Sequence, residues 1–440
     1  MMKNLTEQYH FIVLGIFLMA AAYFRIWAAP LSAGPDVAQF WAFASVFHSH
    51  GVDFYRYSDG QLPIYPFKGW DYFYPPIWLL ILGICLLIVP DSYATKYMID
   101  PGWRLAMKMP IITADLAIGC LIFWAVPGRK WLRLLFAGLW LFHPTAWFES
   151  AVFGQFDAIA AAFLVASIIA LEKGKNIWGF ILAGLAVMTK QHTLLAVGLM
   201  VMAMTRNIGW KPTMKHVGVL VGLAIVISLP FIVTGNFVDY FSSIIVSASL
   251  PGYQSPIMYA FNGIASSLTY LHDTWGWDTE VFINFCIPIL IMTWLIAGVF
   301  IYRRKIAPLR AALIGICLFI AFFYRINYQY LVIYIPLALM VAAKTDHWSE
   351  RIISMIMALA PLTWMWISDP AFWFTYLDPK HFEAFNQLEK AGLGRWGTPD
   401  YAYVILASGI MVLCLVYVIG AFIWWHRPLK GEPEPKLIAV

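Results

Sequence analysis

Charged residues are scarce in this sequence. Only 12% of its 440 residues are Asp, Glu, Lys or Arg, whereas 61% are hydrophobic. A soluble domain carries about 25% charged residues, so the composition excludes a large soluble domain. The apolar residues form blocks, many of about the 20 residues that a membrane-spanning helix needs. They do not alternate with polar residues as the strands of outer-membrane barrels do. The composition therefore predicts an all-α polytopic membrane protein.

Cysteines are also few, and they follow no metal-binding or disulfide spacing. All five lie inside apolar runs, where a thiol behaves as a small hydrophobic group. The first apolar block, Phe11–Ala29, is too long for the core of a signal peptide and has no A-x-A-like cleavage site. We therefore expect it to be a membrane helix.

Lys and Arg concentrate in short segments between the apolar blocks, which the positive-inside rule places in the cytoplasm. These segments are 129–133, 173–175, 206–215, 303–310, 344–351 and 427–430. Helix pairs between them are predicted at 131–147 with 156–171, 176–190 with 191–206, 215–234 with 281–302, 309–324 with 327–343, and 351–368 with 402–425. With helices over 11–29 and 105–126, this predicts a single domain (1–440) of about twelve spanning helices with both termini inside. Block Ile77–Val89 is short, so we expect it to lie in or dip into the outer leaflet.

Three external segments are long, namely 30–104, 235–280 and 369–401. They are rich in Trp, Tyr, Phe, Pro and Gly, a composition unlike that of disordered loops. We expect the long first external loop to contain interfacial helices and to build a pocket on the membrane surface.

Asp36 is the first candidate catalytic residue. Gly34-Pro35 breaks the first helix, and Asp36 is then placed as the N-cap of a new helix that runs to about His48. Capping alone accounts for such a residue. At the outer membrane surface beside aromatic residues, however, a partly desolvated carboxylate can act as a base. Three further aspartates of the same loop are rival carboxylates, although each is more often a turn residue: Asp53, Asp59 and Asp71.

Several cations also fall on the external side of this topology. Lys190-Gln191-His192 and Arg325 lie at the outer junctions of helix pairs, and Arg56 lies in the first loop. A lysine suits a lipid phosphate as a compact cation, and an arginine fork binds two phosphate oxygens. The alternatives are a snorkelling lysine and contacts with lipid headgroups.

Carboxylates elsewhere divide into two kinds. Asp115 lies in the middle of an apolar segment, where a buried hydrogen bond or ion pair between helices is the expected role. Glu149, Gln155 and Asp157 flank an external turn. One base and several cations on one side of the membrane suit the displacement of a phosphate leaving group.

Five short motifs follow one another over residues 34–195: Asp36 before Ala38-Gln39, Tyr74-Pro75-Pro76, Ala114-Asp115-Leu116, Gly154-Gln155-Phe156 and Lys190-Gln191. In this order they resemble integral membrane glycosyltransferases of the GT-C class, and most closely the dolichyl-phosphate-glucose-dependent glucosyltransferases. The catalytic aspartate of those enzymes lies one residue further from Ala-Gln. Their late His-Glu-Lys motif has no counterpart, and Asn327-Tyr328-Gln329 stands in its place. These departures favour a broader GT-C relationship.

The resemblance implies an inverting transfer of a hexose, glucose or mannose, from a polyprenyl-phosphate donor to a lipid-linked or glycolipid acceptor at the non-cytoplasmic face. Asp36 would be the general base, and no metal or other cofactor is expected. The implied substrate-binding residues are Lys190, Gln191, His192, Arg325, Arg56, Gln155, Asp157 and Tyr74. The location would be the plasma or inner membrane, with the active site on the periplasmic, extracellular or luminal side.

Two other functions are compatible with the composition. A transporter or flippase of a lipid-linked sugar usually shows inverted repeats and broken helices near the midplane. This sequence shows no internal repeat, and its charges gather at one surface. A polymerase or ligase with a diphosphate-linked donor would rely on external Arg and His rather than on a first-loop aspartate.

Overall fold

The computed structural model describes residues 2–96, 98–247, 263–324, 326–363, 399–425 and 428–430. Within these residues the protein is helical, and an isolated β-bridge joins Ala94 to Ile99. The helices are α1 (Met2–Ala28), α2 (Pro35–His50), α3 (Pro76–Ile88), α4 (Pro101–Ala125), α5 (Lys130–Leu141), α6 (Pro144–Trp147), α7 (Asp157–Glu172), α8 (Asn176–Thr189), α9 (Thr193–Ile208), α10 (Trp210–Val233), α11 (Phe237–Phe241), α12 (Ile264–Trp275), α13 (Glu280–Arg304), α14 (Pro308–Phe322), α15 (Leu331–Lys344), α16 (Trp348–Leu359) and α17 (Pro399–Ile423).

Five segments of the described chain are long and apolar enough to cross a membrane: Tyr9–Leu31, Pro101–Ala125, Trp210–Val233, Val281–Arg304 and Val404–Ile423. They coincide with the spans predicted at 11–29, 105–126, 215–234, 281–302 and 402–425. Shorter apolar helices occupy several of the other predicted positions. The all-helical class is therefore confirmed, while the count of about twelve spans stays a prediction.

Two predicted helices end early. The helix expected over 131–147 breaks after Leu141, and Pro144 starts the short helix α6. Proline lacks an amide hydrogen and disfavours helix in the residue before it, so it interrupts the predicted run. In the helix expected over 351–368, the α-helical part ends at Leu359 and a 3₁₀ turn follows over Ala360–Thr363. Residues 364–368 lie outside the described residues. Almost all of the predicted external segment 369–401 lies outside the described residues, as does 248–262 within the segment 235–280.

The segment predicted to be the first external loop contains two helices, α2 and α3, and a 3₁₀ turn over Gly51–Tyr57. The prediction that Asp36 caps α2 was wrong, because Gly34 is the N-cap and Asp36 lies in the first turn. Pro35 takes the first helical position, where its fixed φ angle and missing amide hydrogen cost nothing. A carboxylate in a first helical turn is favoured by the helix dipole.

Aromatic rings pack the interior of this loop. Phe43 contacts Phe54 and Tyr72 edge to face, with ring centroids 6.1 and 5.1 Å apart. The Tyr55 hydroxyl donates a hydrogen bond of 2.9 Å to the Tyr74 carbonyl. Edge-to-face pairs contribute about 0.5–1.5 kcal/mol each beyond the area they bury. The loop is thus a packed unit that presents its residues in defined positions.

Helix α4 is the scaffold beneath the loop. Arg25 of α1 donates to the Asp115 carboxylate at 2.6 Å, and the Ser150 hydroxyl donates to the same oxygen at 2.7 Å. Both charged side chains are almost fully buried. The interhelical ion pair expected for Asp115 is therefore confirmed, and it ties α1, α4 and the segment after α6 together.

Candidate active site

Asp36 lies at the start of α2, where two chain segments cross. The Gly34 amide donates a hydrogen bond of 3.0 Å to the Phe153 carbonyl. The Gln155 side-chain amide donates a short hydrogen bond to Oδ2 of Asp36. Asp36 is half-buried, whereas Gln155 is buried. The turn that carries Gln155 therefore orients the carboxylate that the sequence identified as the candidate base.

The turn begins with a π-helical segment over Phe148–Phe153, which is capped by Gly154, and it continues to Gln155. Gly154 has φ of 85°, a left-handed conformation that glycine adopts without strain. A Cβ atom at this position would lie 2.8 Å from Cγ2 of Val37 and 3.0 Å from Cε of Lys108. Glycine is required here for the backbone angle and because α2 and α4 both approach the turn closely at this position.

We predict that Gly154→Ala lowers any transfer activity at least tenfold, because about 1–2 kcal/mol of backbone strain adds to a steric clash next to Gln155. Gly174→Ala is the matched control, since Gly174 also has a positive φ of 71° but no atom within 4 Å of its hypothetical Cβ. Steady-state activity and thermal unfolding of both purified variants provide the measurement. Equal effects of the two substitutions would contradict this role of the close approach.

Lys108 holds the two crossing segments in place. Its ammonium group donates to the carbonyls of Ala29, Ser32 and Val152 at 3.1, 2.5 and 2.9 Å. An ammonium group has three hydrogens, so all its donors are used. Lys108 was absent from the predicted site residues. A lysine inside a predicted span is unusual, and this is the sequence signal that points to Lys108.

Lys190 and Asp157 form a buried ion pair. Lys190 Nζ contacts Oδ2 of Asp157, and both side chains are at most 1% exposed. Three aromatic rings surround the ammonium group, with Phe156, Tyr74 and Tyr330 centroids at 4.6, 5.6 and 5.0 Å. Such rings stabilise a desolvated cation. The predicted site residues Lys190, Asp157 and Tyr74 thus lie together, but Asp157 already compensates part of the lysine charge.

The other predicted residues take different positions. Gln191 donates to the Phe73 carbonyl at 2.8 Å and thereby joins the junction of α8 and α9 to the first loop. The His192 ring stacks on Phe319, with centroids 4.8 Å apart. Arg56 is exposed, over the Tyr57 ring, so it is not buried with the rest of the cluster. Arg325 lies outside the described residues.

Glu149 lies in the π-helical segment of the same turn and is 1% exposed. Burial raises the pKa of its carboxyl group well above the usual range, and the neighbouring Asp157 raises it further, while Lys190 acts in the opposite direction. The sequence placed Glu149 at the external turn without assigning it a role. Its burial is a result of the tertiary structure.

No group of three or more His, Cys, Asp or Glu side chains suited to a metal ion occurs among the described residues. The expectation that the protein needs no metal stays a prediction. The Asp36 carboxylate can act as a base, and the Lys190 ammonium group can stabilise negative charge.

The apolar helices define the chain as an integral membrane protein. The family model described as "ALG3 protein" matches residues 152–245. That family contains dolichyl-phosphate-mannose-dependent mannosyltransferases of the GT-C type, in agreement with the predicted resemblance to GT-C glycosyltransferases. The closer resemblance to glucosyltransferases stays a prediction. The matched segment contains the Gly154 turn, Asp157 and Lys190, whereas Asp36 and Tyr74 precede it. No curated protein matches the chain significantly.

Proposed function

We propose that this protein is an inverting glycosyltransferase that moves a hexose from a polyprenyl-phosphate donor to a lipid-linked or glycolipid acceptor at the non-cytoplasmic membrane face. Mannose is favoured over glucose because the matching family consists of mannosyltransferases. One observation carries the proposal. Gln155 and Asp157, two residues apart in the chain, contact the half-buried carboxylate of Asp36 and the buried ammonium of Lys190, respectively.

In the proposed reaction, Asp36 removes the proton from the acceptor hydroxyl. The acceptor oxygen forms a bond to the anomeric carbon as the bond from that carbon to the phosphate oxygen breaks. The polyprenyl phosphate leaves with the electron pair, and attack from the opposite face inverts the anomeric configuration. Gln155 holds Asp36 in position through its amide.

Lys190 supports departure of the phosphate in this proposal. Its ammonium group uses one hydrogen for Asp157 and has two others. Asp157 and the surrounding rings fix the position of the cation, and a preorganised charge stabilises a developing phosphate charge strongly in a site with little water. His192 and Arg325 are proposed to contribute further contacts to the donor.

Purified protein in lipid nanodiscs tests the proposal. Radiolabelled mannosyl-, glucosyl- and arabinosyl-phospho-polyprenols serve as donors, and a total lipid extract of host membranes supplies acceptors. We expect label to enter an acceptor lipid, with the release of polyprenyl phosphate, and the mannosyl donor to react fastest. The same protein in sealed vesicles provides the second measurement. Movement of the intact donor across the vesicle membrane, without transfer in either preparation, would contradict the proposal and favour the flippase alternative.

A further inference from the structure

The carboxyl group of Glu149 is fully buried, and within the described residues it makes no hydrogen bond. Neither Oε1 nor Oε2 has a hydrogen-bond partner within the described residues. The backbone carbonyl of the same residue is fully used, since it accepts from the amides of Gly154 and Gln155 at 2.9 and 2.8 Å. Burying a polar group without a partner is unfavourable, so a group of this kind indicates a bound ligand or a functional role.

Glu149 belongs to the cluster that contains the candidate base. Its carboxyl group interacts electrostatically with Asp157, Lys190 and Asp36. Gln155 of the same turn and Asp157 at the start of α7 each carry one more buried oxygen, Oε1 and Oδ1 respectively, that has no partner among the described residues. Four acceptor oxygens are therefore gathered next to the proposed reaction centre.

These oxygens indicate which class of ligand can bind here. A phosphate group offers acceptors and negative charge, so it is repelled by carboxylates. A hexose offers several hydroxyl groups, each of which donates a hydrogen bond and also accepts one. A carboxyl group presents two oxygens side by side, so it suits two adjacent hydroxyls.

We propose that the carboxyl group of Glu149 binds hydroxyl groups of the transferred hexose and thereby determines which hexose reacts. Gln155 and Asp157 contribute their remaining oxygens to the same hydroxyls. The assignment rests on the proposed glycosyl transfer, because the sugar must lie between Asp36, which activates the acceptor, and Lys190, which faces the departing phosphate.

The test combines donor analogues with variants of Glu149. The donors are mannosyl-phospho-polyprenol and its 2-, 3-, 4- and 6-deoxy forms, and the proteins are wild type, Glu149→Gln and Glu149→Leu. In the wild type, removal of the hydroxyl that Glu149 binds should lower kcat/KM by roughly 10- to 100-fold. With the intact donor, Glu149→Leu should have a kcat/KM lowered by about the same factor. Removal of that one hydroxyl from the donor should lower the kcat/KM of Glu149→Leu no further. Glu149→Gln keeps the shape and polarity of the side chain and should retain an intermediate activity with a changed order of preference among the donors.

Asp59→Asn is the control variant, since Asp59 is exposed and should reproduce the wild-type pattern with all five donors. If every deoxy donor reduces the rates of wild type, Glu149→Leu and Glu149→Gln by the same factors, Glu149 does not contact the sugar and the inference is wrong while glycosyl transfer stands. A wild-type protein that transfers none of the five sugars would overturn both proposals. If Glu149→Leu does not fold, Glu149→Gln decides the question. A changed order of donor preference supports the inference, and an unchanged order contradicts it.

Discussion

Asp36→Asn is expected to lower kcat for hexose transfer by about 10²–10⁴-fold, the usual contribution of a general base. Asparagine has nearly the same shape as aspartate, and its side-chain oxygen still accepts a hydrogen bond from Gln155. The substitution therefore removes the proton acceptor with little change in packing. Initial rates with the preferred polyprenyl-phosphate sugar, at saturating donor, measure the effect.

Asp59→Asn provides the matched control for this substitution. Asp59 lies in the same loop, is exposed, and accepts a hydrogen bond of 3.0 Å from the Gln61 amide in a turn. Its variant should transfer sugar at the wild-type rate. Full activity of Asp36→Asn in membranes would remove Asp36 from the role of base.

The second large effect is expected at the Lys190–Asp157 ion pair. Lys190→Met leaves the Asp157 carboxylate buried without its partner, and breaking a buried pair in this way costs about 3–5 kcal/mol. The double variant Lys190→Met with Asp157→Leu removes both charges and should regain most of the lost stability. It should remain inactive, because the proposed cation at the leaving phosphate is gone. Thermal unfolding and transfer rates of the same preparations separate the two effects.

A second buried ion pair provides the control for this experiment. Lys344 Nζ contacts Oε2 of Glu172 at 2.5 Å, at the C-terminal ends of α15 and α7. The double variant Lys344→Met with Glu172→Leu should be folded and active. A folded Lys190→Met with Asp157→Leu protein that retains wild-type transfer would show that the Lys190–Asp157 pair is structural only.

The hydrogen bonds of Lys108 show why the local sequence around Asp36 reveals little about the environment of Asp36. The ammonium group comes from α4 and binds carbonyls on both sides of the crossing, at Ser32 and Val152. More than 40 positions separate Lys108 from either carbonyl in the chain. Patterns within a short window carry no information on such a contact, since they report only helix period and turn chemistry.

The burial of Glu149 also could not be predicted from its local sequence. Its neighbours Gly154 and Gln155 mark a turn, and the left-handed angle at Gly154 agrees with that reading. Whether a carboxyl group at such a turn faces water or the protein interior depends on the helices packed over it. Here it is buried among Asp157, Lys190 and Asp36.

The sequence by itself determined the membrane class, the five long apolar helices, the turn at Gly154 and the burial of Asp115 in an interhelical contact, because length, hydropathy and glycine chemistry act locally. Only the tertiary structure decided that Lys190 pairs with Asp157, and that Asp36 accepts a hydrogen bond from Gln155 instead of capping α2. It also decided that Glu149 lies buried beside these residues. These contacts join segments far apart in the chain. The packing of whole helices determines which groups meet, and a buried charge is stable only where this packing brings a partner close to it.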